Sequence, residues 1–141
     1  MNKFSVLCLV VLMAFGTSFG RIHSWKGTVH LIAVPFIAGT GAYASITMLQ
    51  HARETATKAG AITNLSLLAA QTGLGATILF TDDDLPPAFR IIHRIVGGGV
   101  IASGLWISIA GSFDKGVNST SRWVAYTHTA LAAAPLILFT F

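Results

Sequence analysis

Histidine is the residue type in this 141-residue chain whose positions best suit chemistry, and the chain holds five of them: His23, His30, His51, His93 and His128. Three of the four long uncharged stretches carry a histidine inside them or at their edge. An ionisable side chain in such a segment is costly and marks a functional candidate. Imidazole is also a frequent ligand of haem iron. We therefore expect haem ligation, with hydrogen bonding between helices as the alternative.

Four stretches without Asp, Glu, Lys or Arg must position these histidines: 27–52, 59–81, 95–113 and 123–141. Each is close to the roughly 20 residues that cross a bilayer core. Charged residues make up only 10% of the chain, against about 25% in soluble domains. The stretches lack the alternation of barrel strands. The sequence predicts an all-α membrane protein whose residues 24–141 form a four-helix transmembrane bundle.

The N-terminal segment has two interpretations. Lys3 precedes an apolar run, 4–19, and the small residues Ser18 and Gly20 have the spacing of a signal-peptidase site. Residues 1–20 are therefore predicted to be a signal peptide or a first transmembrane helix. The single cysteine, Cys8, lies in this run and forms no disulfide within one chain. We expect an integral protein of a bacterial inner membrane.

The elements follow from the charges, prolines and glycines between the stretches. The first helix is predicted from Trp25 to about Lys58, with a kink at Pro35, and the second covers 61–80. Proline suits a first helical turn, so Pro86 and Pro87 introduce a third helix over 88–112. Ser121 or Thr120 is the expected cap of a fourth helix that runs on to the C-terminus. The first core helix is expected to start on the outer side.

Depth pairs two of the histidines. His30 lies six residues after Ser24, and His93 lies five residues after Ala88, on helices that start on the same side. At about 1.5 Å per residue both sit roughly 7–9 Å along their helices. We expect them to hold haem b between two imidazoles. Gly97, one turn after His93, either clears space for that flat group or serves close helix packing.

Arg90 and Arg94 flank His93 and have two possible roles. A guanidinium matches the geometry of a haem propionate, and it also anchors a helix at the lipid headgroups. The basic residues of the chain are scattered singly through loops and form no patch of the kind that binds nucleic acid. Membrane lipid is the expected contact.

A second haem depends on His128. His51 is the candidate partner for it, but 21 residues separate His51 from His30, which is roughly 31 Å along a helix. That spacing is long for two haems that exchange electrons quickly. His51 also has the alternative role of a headgroup-level histidine. The sequence leaves one haem or two open.

Each of the four predicted helices holds a short motif that resembles a core helix of cytochrome b561-type proteins, in the same order: His30 with Pro35 and Gly39, Gln71 with Gly73 and Gly75, His93 with Arg94 and Gly97, and His128. The resemblance covers residues 24–141. It implies that the first and third helices share one haem, through His30 and His93. The family histidine near the start of the second core helix is absent here, so the partner of His128 is open. The resemblance further implies electron transfer to or from quinol, ascorbate or ferric iron.

Two functions remain at this point. The first is a b-type cytochrome that carries electrons within or across a membrane, with a redox partner protein or quinol, as a component of an oxidoreductase. The second is a cofactor-free accessory subunit of a larger membrane complex, packed through its small residues. A proton or metal-ion transporter ranks last, because the apolar stretches hold no carboxylates.

Overall fold

A computed structural model of the chain describes residues 25–81 and 85–140. They form four helices: α1 (Trp25–His51), α2 (Thr55–Phe80), α3 (Pro87–Phe113) and α4 (Ser119–Thr140). This part of the chain contains no strand, so the predicted all-α bundle of four helices is confirmed. The predictions for residues 1–20 lie outside the described residues, as do His23 and the acidic run 82–84.

The surface of the bundle suits lipid. Thr28–His51, Thr55–Phe80 and Pro87–Phe113 are each long and apolar enough to cross a membrane, with mean hydropathy of 1.5, 1.3 and 1.6. Large apolar side chains face outward, and Phe36 and Ile95 are 62% and 68% exposed. A soluble protein rarely exposes so much apolar surface. The chain is therefore an integral membrane protein.

The helices form a ring in which each packs against two neighbours. α1 lies against α2 and α4, α3 lies against the same two helices, and α1 and α3 face each other diagonally. The centre holds small residues, including Ala44, Ala61 and Ala125, around the fully buried Met48 and Ile107. Small side chains let helix backbones approach closely where lipid offers no hydrophobic drive.

The first helix ends earlier than predicted. α1 stops at His51 rather than near Lys58, and α2 begins at Thr55 rather than at 61. The cause is Asp114, whose carboxylate accepts hydrogen bonds from the backbone N–H groups of Arg53 (3.1 Å) and Glu54 (2.9 Å). These amides at the start of α2 have no helical partner of their own. We call this arrangement the Asp114 cap.

The ends of α3 and α4 also have local causes. Pro87 occupies the first turn of α3, as predicted. The cap of α4 is Asn118 rather than Ser121 or Thr120, because the Asn118 side-chain oxygen accepts the N–H of Ser121 at 2.8 Å.

α1 runs through Pro35 without interruption of the helix.

Candidate functional site

The structure brings His30 and His93 together across the diagonal of the bundle. Their ring centroids are 6.0 Å apart, and their planes are nearly perpendicular, at 83°. His30 comes from α1 and His93 from α3, two helices that run in the same direction. Their similar depth along parallel helices is what allows the two rings to meet.

Helix α2 holds His93 in place. The side-chain amide nitrogen of Gln71 lies 3.1 Å from His93 Nε2. A Cβ at Gly75 would lie 3.3 Å from His93 Cε1, so this glycine gives the imidazole its room. Gly97 accommodates Gln71 in the same way, since a Cβ there would lie 3.2 Å from the amide nitrogen. The space beside Gly97, expected for a cofactor, is thus next to the Gln71 amide.

Gln71 is a site residue that the sequence did not predict. Its signal was present, because Gln71 is a polar residue in the uncharged stretch 59–81. The predicted site was built from histidines, and α2 contains none. The partner of His93 is therefore an amide from the neighbouring helix.

His128 occupies a different place, deeper in the bundle. Its side chain is fully buried. Its Nδ1 donates to the backbone carbonyl of Ile37 at 3.0 Å, and its Nε2 lies 3.4 Å from the side-chain oxygen of Asn64. Both ring nitrogens thus have polar neighbours within the bundle, and the contact with Ile37 is the interhelical hydrogen bond expected as the alternative role of a membrane histidine.

Asn64 links His128 to the other helices. Its amide nitrogen donates to the Ser45 hydroxyl at 2.9 Å, and its oxygen accepts the Ser103 hydroxyl at 2.8 Å. Ser45, Asn64, Ser103 and His128 come from α1, α2, α3 and α4 in turn. We call these four residues the four-helix junction. Polar contacts of this kind fix the register of membrane helices.

Two glycines enclose the His128 ring. A Cβ at Gly41 would lie 2.5 Å from His128 Cε1, and one at Gly104 would lie 3.3 Å from Cδ2. The ring therefore fits between α1 and α3 because both positions lack a side chain. This close approach leaves the junction tightly packed.

The remaining predicted site residues lie on the surface. His51 is exposed at the end of α1. Gly41, which touches His128, lies ten residues earlier, or about 15 Å along the helix. The structure therefore does not bring His51 and His128 together. Arg90 and Arg94 are both exposed, one turn apart on α3, and their pairing with propionates stays a prediction.

The separation of the His30 and His93 rings can be compared with that of two imidazoles on one haem iron, although His93 Nε2 lies against the Gln71 amide in this structure. Within residues 25–81 and 85–140, no group of three or more His, Cys, Asp or Glu side chains could hold a metal ion, but a haem iron needs only axial ligands from the protein. An imidazole nitrogen binds a metal at about 2 Å and its ring centre lies roughly 1 Å behind, which gives about 6 Å between two ring centres on one iron. The observed 6.0 Å agrees.

Unpaired polar atoms lie in the same cluster. His93 Nδ1 and Gln71 Oε1 are buried and have no hydrogen-bond partner among the described residues. A buried polar atom without a partner costs about 1–3 kcal/mol. A polar or metal-centred ligand is therefore favoured here over further apolar packing.

Comparison with known proteins gives no relative from which a role could be transferred: no protein-family model, no curated protein and no solved structure matches this chain.

Proposed function

We propose that the protein is a b-type haem membrane cytochrome that carries electrons within or across the membrane, with His30 and His93 as the axial ligands. The observation that supports this most is the 6.0 Å separation of the two imidazoles across the bundle. A bound haem would supply one-electron chemistry that no side chain offers.

The chain itself would bind and orient the group. His30 on α1 and His93 on α3 come from diagonally opposed helices, so their positions depend on the packing of both against α2 and α4. The apolar outer surface keeps the site in a bilayer, away from bulk water. A redox partner protein or a quinol is the proposed source or acceptor of electrons, and a bacterial inner membrane is the proposed location.

One haem is the stoichiometry that we propose. His128 is the remaining buried histidine of the described chain, and both of its ring nitrogens have polar neighbours in the four-helix junction. Its lack of contact with His51 removes the partner that a second haem would need. The predicted second site therefore has no pair of imidazoles to support it.

A cofactor-free accessory subunit is the second candidate. The hydrogen bond between His128 Nδ1 and the Ile37 carbonyl favours it, because there a membrane histidine serves as a hydrogen-bonding group between helices. If His30 and His93 have the same role, their replacement would change assembly and leave any colour unaffected.

The test is a reduced-minus-oxidised visible spectrum of the detergent-purified protein, with a pyridine haemochrome assay of haem per chain. We expect a b-type spectrum and about one haem per chain in the wild type. His30→Ala and His93→Ala should lose the haem, because each removes one axial ligand. His51→Ala is the matched control, since it removes an exposed histidine from the same helix as His30.

Two results would contradict the proposal. A colourless wild-type protein from cells supplied with haem would reject the cytochrome and leave the accessory subunit. A haem that survives both His30→Ala and His93→Ala would reject these ligands.

A further inference from the structure

We propose that the N-terminal apolar segment, residues 4–19, stays attached to the protein and packs as a further helix into a groove between α1 and α2. The groove is lined by neither His30 nor His93, so this inference stands apart from the proposed haem site. Of the two interpretations of residues 1–20, it selects the first transmembrane helix and gives that helix a place in the bundle.

The groove follows the line along which α1 and α2 meet. It encloses about 440 Å³, and its walls are almost wholly apolar. Small residues dominate them: Ala38 and Ala42 on α1, and Ala69, Thr72, Gly73 and Ala76 on α2. A Cβ at Gly73 would meet no atom within 4 Å. Side chains of another helix can therefore reach the backbone of α2 there.

The outer face of α2 resembles a helix interface rather than a surface for lipid. Only 11% of its most apolar window is buried in the bundle, against 28% for α1 and 33% for α3. Between Ile62 and Phe80, a stretch that the structure describes throughout, every exposed residue is Ser, Thr, Ala or Gly. α1 and α3 instead expose large apolar side chains such as Phe36 and Ile95. Small residues of this kind line contacts between membrane helices.

Residues 4–19 have the composition, length and attachment to fill this groove. They are 16 residues without Asp, Glu, Lys or Arg, and as a helix they would extend about 24 Å. Residues 20–24 join them to Trp25 at the start of α1. Connections of about 2–8 residues link neighbouring helices in bundles. The segment is therefore tethered beside α1 and would run antiparallel to it.

Depth along the helices brings Cys8 level with Gly73. Ser45 lies 20 residues after Trp25 and accepts a hydrogen bond from Asn64 on α2. Gly73 lies nine residues along α2 from Asn64, back toward the start of α1, which places it about 16 Å below Trp25. Cys8 lies 11 residues before the end of the segment, also about 16 Å along a helix.

Disulfide formation between Cys8 and an introduced cysteine tests the contact. Cys8 is the single cysteine of the chain, so each introduced cysteine has one possible partner within it. After oxidation of isolated membranes with copper phenanthroline, Gly73→Cys should lose both free thiols and still migrate as a monomer. A thiol-reactive polyethylene glycol maleimide, added after denaturation, measures this loss. Ala38→Cys, on the α1 wall of the groove, should react in the same way.

Gly98→Cys is the matched control. It also replaces a glycine at which a Cβ would meet nothing within 4 Å. Gly98 lies five residues after His93 on α3, the helix diagonal to α1 and at a similar depth in the bundle. A disulfide needs Cα atoms within about 7 Å, so both thiols of this variant should stay free.

Three outcomes would overturn the inference. The first is an intact mass of the membrane-extracted wild type that corresponds to a chain without residues 1–20. The second is a retained segment whose Cys8 reacts no more with Gly73→Cys and Ala38→Cys than with Gly98→Cys, which leaves the groove to lipid. The third is a disulfide that joins two chains as the main product, which assigns the groove to a second copy. The haem spectrum enters none of these, so failure here leaves the proposed function untouched.

Discussion

Asp114 is a buried carboxylate at the end of α3, and its oxygens accept three backbone N–H groups. These come from Arg53, Glu54 and Gly116. Burial alone would raise the pKa of the Asp114 carboxyl, but these backbone hydrogen bonds lower it to about 2. The charge is therefore held by the fold and stabilises it.

Asp114→Asn should destabilise the protein by about 2–3 kcal/mol, because the amide keeps one acceptor oxygen and turns an NH₂ group toward backbone donors. The wild type should show a matching pH dependence. The folded pKa lies below the ordinary value of 3.8, so the contribution is complete above about pH 4 and is lost as pH falls toward 2. Thermal unfolding in detergent, followed by circular dichroism, measures both.

Glu54→Gln is the control for this residue, because it alters an exposed side chain and retains the backbone N–H that Asp114 uses. Equal stability of Asp114→Asn and the wild type at neutral pH would contradict the role of the cap. The sequence did not reveal this role, since the cap joins residues about 60 positions apart and an aspartate in a short polar loop has no local signature.

The helices themselves were predictable, because four uncharged stretches of bilayer length leave few alternatives. Counting residues also placed His30 and His93 at one depth, since α1 and α3 begin at the same end of the bundle. The junction was not predictable. His128 is held by the Ile37 carbonyl, and the register between neighbouring helices depends on which small residues touch.

Two glycines on α1 test that register. Gly41→Ala would place a Cβ 2.5 Å from His128 Cε1 and 2.6 Å from Leu68 Cδ1. Such overpacking costs about 1–3 kcal/mol. Gly39→Ala should cause no loss of stability, because nothing lies within 4 Å of a Cβ at that position and alanine favours a helix over glycine by up to about 1 kcal/mol. Unfolding of both variants by denaturing detergent gives the comparison, and equal losses would show that α1 does not contact His128 in this register.

Across the described part of the bundle, the basic residues are divided almost evenly between the two ends. The end that carries the Asp114 cap has four basic residues: Arg53, Lys58, Lys115 and Arg122. The opposite end of the described chain has three: Lys26, Arg90 and Arg94. Phe113 and Trp123, 82% and 71% exposed, also lie near the cap, as expected of aromatic residues at a membrane interface.

The positive-inside rule then predicts that the Asp114 end faces the cytoplasm. With Cys8 replaced, single cysteines at the exposed positions Lys115 and Arg90 report this orientation. A membrane-impermeant maleimide should label Arg90→Cys in spheroplasts, and Lys115→Cys only after permeabilisation. The reverse labelling would mean that the bundle is inserted the other way up.

Pro35 weakens the backbone hydrogen bonding of α1 near His30. It has no N–H for the Leu31 carbonyl, so one backbone hydrogen bond is missing from the helix between His30 and Ser45. Beyond Pro35, the four-helix junction and the Asp114 cap fix the position of α1 against the other helices. Bending at the proline would then change the distance between the two imidazoles and leave the junction and the cap undisturbed. The separation of the two imidazoles would therefore depend on the bend of α1 at Pro35.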